Sequence, residues 1–148
     1  MSEIETMLIR QEICELKARY FRLLDCKDWA GFEALFCPDA LTDFRDSGGE
    51  IDESLLISGA AAFVSRLAPM LENVTTVHHG HMPEIVVESA TSARGIWAME
   101  DKLWPGPGSV LPFGFMHGYG HYHERYARLA DGWRIAEIRM ARLRVGVA

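Results

Sequence analysis

Four side chains able to move protons or polarise a carbonyl could meet at one cavity: Tyr20, Asp25, His78 and Arg142. Histidine titrates near neutrality, and a carboxylate, a phenol and a guanidinium can orient its ring or stabilise an oxygen that gains charge. Together they describe acid-base chemistry. Tyr20 lies on the apolar stripe of a long helical segment, and a buried phenol needs a partner for its hydroxyl. Asp25 follows five residues later, about 7.5 Å along the axis and roughly 140° around it, so the two do not share a face. Both can flank one cavity if Asp25 ends the helix. Alternation on a strand sends His78 to one face and His79 with His81 to the other, unless a bulge intervenes. A slip of one residue would exchange the ring that enters the interior. On the last strand Ile138, Met140 and Arg142 share a face, which places an always-charged guanidinium among apolar neighbours and requires an acceptor for it. Asp101 travels with Ala93, Gly95, Trp97, Met99 and Leu103. Asp101, Trp97, His81 and Met140 complete the set as candidate substrate contacts.

Two histidine spacings, His78-x-x-His81 and His121-x-His123, could in principle serve a metal, but neither is specific and no metal is expected. Cys14, Cys26 and Cys37 are odd in number, without a Cys-x-x-Cys pair, and read as free thiols packed as small hydrophobes.

The elements that must position these groups follow from periodicity. Ile9, Ile13, Leu16, Tyr20 and Leu23 recur at spacings of three and four, which predicts an amphipathic helix over residues 4–25. Asp28 caps a second helix carrying Trp29, Phe32, Leu35 and Phe36, with Pro38 as its stop. Leu41–Arg45 and Ile51–Ile57 read as short strands around Ser47-Gly48-Gly49, and Ser58 opens a third helix with Pro69 in its last turn. From Val74 onward four long β segments follow, 74–88, 93–103, 113–129 and 133–145, the last two joined by Asp131-Gly132, a strong hairpin signal. Helices first and sheet second imply an α+β fold in which a strongly curled, largely antiparallel sheet wraps the helices as a cone-shaped barrel. Pro105 to Ser109 is expected at a rim. Phe113, Phe115, Tyr119, Tyr122 and Tyr126 cannot all point inward, which predicts an aromatic outer face and a homo-oligomer, dimer or trimer.

With 148 residues and 49% hydrophobic composition, one domain with a real core is expected. A net charge of −6 and no Lys/Arg run exclude the basic surface that nucleic acid or an anionic membrane requires. Met1 to Glu5 lack a signal-peptide pattern and no apolar run reaches eighteen residues, so a cytoplasmic protein is expected.

The stretches Tyr20 to Trp29, Val77 to Ile85, Ile96 to Leu103, Tyr122 to Tyr126 and Asp131 to Ile135 resemble the successive signatures of the SnoaL-like branch of the nuclear transport factor 2 superfamily. The resemblance spans nearly the whole chain. Its motifs are nearest to those of bacterial bile acid 7α-dehydratases, with scytalone dehydratases more distant. It implies a cystatin-like roll, no cofactor, and active-site positions at Tyr20, Asp25, His78 and Arg142 with a pocket carboxylate at Asp101. By that analogy His78 removes a proton alpha or vinylogous to a carbonyl, Tyr20 or Arg142 stabilises the enolate, and Asp25 fixes the imidazole tautomer or assists departure of a hydroxyl.

The implied activity is a cofactor-independent lyase or isomerase acting on a hydrophobic cyclic hydroxy-carbonyl compound such as a steroid or polyketide. Two other functions use the same fold. One is a binding module for an apolar small molecule, and the other is a structural chain resembling the β-subunits of ring-hydroxylating dioxygenases. The Pro105-to-Gly108 loop and the short segment after Arg142 depart from the dehydratase pattern at the cavity mouth, where substrate identity is decided.

Overall fold

The computed structural model describes all residues from Met1 to Ala148. Helix α1 runs from Glu3 to Asp25, started by a capping box in which the Ser2 hydroxyl accepts from the Glu5 amide and the Glu5 carboxylate accepts from the Ser2 amide. Its buried stripe is Ile9, Ile13, Leu16, Lys17, Tyr20 and Leu24. After Asp25 the chain leaves the helix through Lys27, which adopts a left-handed φ of 58°. Helix α2 spans only Trp29–Glu33, capped as expected by Asp28, whose Oδ1 accepts from the Gly31 amide at 3.0 Å.

The predicted continuation of α2 to Phe36 does not occur. Phe36 already belongs to strand β1, Phe36–Asp43, where it pairs in parallel with the last strand opposite Ile135. Pro38 therefore lies inside a strand, in the stretch between Phe36 and Leu41 where the register shifts, a place that tolerates a missing amide. Strand β2 is short, Leu56–Ser58, and pairs antiparallel with β1. Between them the expected tight hairpin is replaced by a longer loop ending in one 3-10 turn at Glu53–Leu55. Helix α3, Ala60–Met70, starts after Gly59, whose φ of 100° suits glycine, rather than at Ser58.

The long strands are β3 Val74–Val87, β4 Ser92–Pro105, β5 Met116–Leu129 and β6 Gly132–Val147. The sheet order is β2-β1-β6-β5-β4-β3, antiparallel except for β1 against β6. The α+β cone is thus realised as three helices on a six-stranded mixed sheet that stays open, with β2 and β3 as edges. Helix α1 packs across β3, which fixes the end of that helix against the middle of the strand. No helix is long and apolar enough to cross a membrane.

Aromatic rings tie the helices to the sheet. Phe32, fully buried, lies 5.1 Å from Tyr20, 5.2 Å from Phe36 and 6.2 Å from Phe63 between ring centroids. Truncating such a ring to alanine typically costs about 3–5 kcal/mol. Tyr122 and Tyr126, expected on the outer face, point inward and are buried, because β5 alternates Met116, Gly118, Gly120, Tyr122, Glu124 and Tyr126 toward the helices. Of the five aromatic residues expected outside, Tyr119 remains exposed and Phe115 packs on Trp104 at 5.5 Å. Phe113 precedes β5 and lines the interior cavity.

Candidate active site

The C-terminus of α1 delivers Asp25 to β3, and the two meet through three hydrogen bonds. The Asp25 Oδ2 accepts from the His78 amide at 2.9 Å, and Oδ1 lies 2.7 Å from His78 Nδ1 and accepts from the Thr76 hydroxyl at 2.8 Å. Burial alone would raise the Asp25 pKa, but the hydrogen bond and charge of the His78 ring, the His78 amide and Thr76 outweigh it and hold the carboxyl below its ordinary range. Lys27 Nζ donates to Thr76 Oγ1 at 2.8 Å. An ammonium can only donate, so the Thr76 proton must point at Asp25. An ionised Asp25 can only accept, so Nδ1 carries the proton and the lone pair of a neutral His78 resides on Nε2.

Across the interior a second pair closes the site. Arg142 holds Asp101 in a two-pronged bridge, Nη1 to Oδ1 at 2.7 Å and Nη2 to Oδ2 at 2.9 Å, with both side chains nearly inaccessible to solvent. Arg142 Nε donates to the Ser47 carbonyl at 2.8 Å, and its amide donates to Asp46 Oδ2 at 2.8 Å. This bridge passes over Gly118 on β5. A Cβ there would stand 2.4 Å from Arg142 Nη1 and 2.5 Å from Asp101 Oδ1, so glycine leaves the bridge the room it takes in this geometry. His78 Nε2 lies 3.9 Å from Asp101 Oδ2, beyond hydrogen-bond reach.

Both pairs border a cavity of about 190 Å³ with a predominantly apolar wall. Phe44, Phe63, Leu103, Phe113, Met116 and Met140 supply much of that wall, while Tyr20, Tyr122, His78, Asp101 and Arg142 supply polar groups. Asp25 stands behind His78 rather than in the wall. The structure therefore brings together Tyr20, Asp25, His78, Arg142, Asp101 and Met140 around one hollow, and it places His78, not His79, on the inner face.

Two candidate substrate contacts are corrected. His81 is exposed on the opposite face of β3, since the bulge in that strand falls between His81 and Glu84 and does not bring it inward. Trp97 is buried on the inner side of β4 but lies away from the cavity, its Nε1 donating to the Tyr126 hydroxyl at 2.9 Å. No group of three or more His, Cys, Asp or Glu side chains is arranged to hold a metal ion.

Sequence reasoning missed four residues here. Thr76 and Lys27 extend the His78–Asp25 pair. Lys17 and Glu124 form a fully buried ion pair beneath the cavity, with Tyr126 Oη donating to the other Glu124 oxygen. The Lys17 ammonium lies over the rings of Tyr20 and Tyr122, 3.7 and 3.9 Å from their centroids. Burial pulls the Lys17 pKa down to about 8 against the opposing pull of Glu124. The available signals were a lysine on the apolar stripe of α1 and a glutamate alternating inward between Tyr122 and Tyr126.

An open six-stranded sheet curled as a cone over three helices is the nuclear transport factor 2-like fold. The chain belongs to the SnoaL-like domain family, which matches residues 5–139. Probable cyclase FGR4 of Gibberella zeae is 26% identical over 133 residues, covering 86% of each chain. A scytalone dehydratase-like protein from Novosphingobium aromaticivorans superposes with a TM-score of 0.83 at 14% identity, over 99% of this chain and 92% of its own. A hexachlorocyclohexane dehydrochlorinase from Novosphingobium barchaimii gives 0.77 at 13% identity, over 99% and 94%. At such identities the structural likeness establishes the fold and not the reaction.

Proposed function

We propose that this protein is a cofactor-independent lyase or isomerase that removes a proton beside the carbonyl of a small cyclic hydroxy-carbonyl compound. The observation that carries the reading is the tautomer enforced on His78. Asp25 holds Nδ1–H at 2.7 Å, which leaves Nε2 as a base directed at the apolar cavity. His78 Nε2 takes the proton from the carbon next to the carbonyl, and the electron pair moves onto the carbonyl oxygen as an enolate. Asp25 stabilises the resulting imidazolium. In an elimination the enolate re-forms the carbonyl, expels the β-hydroxyl, and His78 returns its proton to that oxygen as water leaves. In an isomerisation the same proton returns to a different carbon.

Elimination and enolate-driven cyclisation both begin with removal of a proton from carbon, which is consistent with a cyclase, a dehydratase-like protein and a dehydrochlorinase among the similar proteins, although the last acts on a substrate without a carbonyl. The volume of about 190 Å³ suits one or two fused rings of polyketide type better than a four-ring steroid.

The test is hydrogen exchange in D2O with a panel of cyclic β-hydroxyketones, followed by NMR for α-deuteration and by absorbance for the enone. Wild type should catalyse both. His78→Ala should lower the rate by about 10²–10⁴-fold while leaving the fold intact. Tight binding with no exchange above the buffer rate would reduce the cavity to a recognition site.

A further inference from the structure

An enolate needs a donor, and of the two arginines at the cavity Arg142, the one beside His78 and Asp101, has four of its five N–H groups engaged within the fold. Arg142 directs Nε to Ser47, Nη1 to Asp101 and toward Met99 Sδ at 3.7 Å, and Nη2 to Asp101. The Asp101 carboxylate it holds would itself repel a developing oxyanion. Tyr122 is in the opposite condition. It is wholly buried, it belongs to the cavity lining, and its hydroxyl is the single buried side-chain nitrogen or oxygen in the chain without a hydrogen bond of good geometry, its one polar neighbour being the Tyr20 hydroxyl on the same wall. Buried hydroxyls are nearly always paired, so an orphan at a cavity wall points to a partner that arrives with the ligand.

Its surroundings agree. Beyond burial, the groups that bear on its ionisation are Tyr20, Asp101, Arg142 and Glu124, so the phenol sits among the residues around His78. Burial keeps its pKa well above the ordinary phenol value, and at neutral pH it therefore holds its proton and donates. The Lys17 ammonium against the ring face, 3.9 Å from the centroid, draws electron density from the ring and favours that donation.

We infer that Tyr122 donates a hydrogen bond to the carbonyl oxygen of the substrate as that oxygen becomes an enolate, opposite the base His78. The inference rests on the acid-base reading above and adds to it a residue and a ligand requirement: the substrate presents a carbonyl oxygen to β5 while its acidic carbon faces β3.

The probe is 4-nitrophenolate at mildly alkaline pH, an aromatic oxyanion that imitates an enolate and reports binding by absorbance. Wild type, Tyr122→Phe, His78→Ala and the outer-surface control Tyr119→Phe are titrated, and thermal unfolding is recorded for each. A hydrogen bond to a charged oxygen predicts that Tyr122→Phe weakens binding about 10–100-fold, with Tyr119→Phe unchanged. Removing an unpaired buried hydroxyl also predicts that the Tm of Tyr122→Phe rises by about 2–5 °C, so weaker binding cannot be ascribed to a damaged fold. Unchanged binding by Tyr122→Phe, absence of binding by wild type, or weaker binding accompanied by a lower Tm would each overturn the assignment. Failure of the acid-base reading shows differently: His78→Ala would then exchange α-protons as fast as wild type, whatever Tyr122→Phe does to nitrophenolate.

Discussion

Two clusters of buried charge share the interior, one sealed and one open. In the sealed cluster Lys17 and Glu124 are wholly inaccessible, Tyr126 occupies the second carboxylate oxygen, and Trp97 in turn donates to Tyr126. Each of these links ends on another protein group. In the open cluster His78 Nε2 stands 3.9 Å from Asp101, Asp25 keeps about a quarter of its side chain accessible, and the Tyr122 hydroxyl beside them is unpaired. Each set joins a basic side chain to a carboxylate beside a tyrosine. They differ in whether hydrogen-bonding capacity is consumed within the fold or left over for a ligand, and that remainder distinguishes a structural ion pair from a reactive one.

Mutation should separate them by observable. Lys17→Met leaves Glu124 buried without a counter-charge and is expected to cost about 3–5 kcal/mol of unfolding free energy, read by urea titration. Asp25→Asn should do the reverse. It should lower kcat/KM for α-deuteration by about 100-fold or more, because the amide no longer fixes the His78 tautomer as an anion does, with a far smaller effect on the urea midpoint. If the two variants lost stability equally, the contrast between sealed and open clusters would fail.

Acid provides a milder test. The Asp25 pKa is depressed in the folded protein, so its contribution is fully present above the unfolded value of about 4 and is lost as pH falls through the lower folded value. Wild type should therefore lose more stability than Asp25→Asn as the pH falls below about 4; parallel acid curves would contradict the pairing with His78. The smallest effect is expected from Thr76→Val, which cuts Lys27 off from Asp25. A drop of about three- to tenfold in kcat/KM, together with a displaced acid limb of the pH profile, would mark Thr76 as a positioning residue. A change in KM alone would not.

Period-two alternation put Asp101, Met140 and Arg142 with the apolar residues that the structure turns inward, whereas for His78 it only separated the ring from His79 and His81 and left the inner face to be decided by the pairing of β3 with β4. The helix end at Asp25 was legible for a similar reason, since the apolar stripe of α1 stops there. Failures came where tertiary pairing overrode local signals. Phe36 and Pro38 looked like a helix end until β6 supplied a parallel partner, and the aromatic residues of β5 looked like an outer face until that strand turned Tyr122 and Tyr126 toward the helices. Lys17 and Thr76 carried no chemical signature alone. Their roles arise only from residues 107 and 51 positions away, Glu124 and Asp25, and such separations are invisible to any window along the chain.

The vacancy of side chain at Gly118 has a consequence for how this scaffold can change. A single methyl group at that position would intrude on the space in which guanidinium and carboxylate clasp across the sheet, and the tips of both side chains would have to move aside for it. Growth at 118 would press first on the tips of those two side chains, so the width of the clasp, and with it the polar end of the chamber, is tuned from a position that itself carries no chemistry.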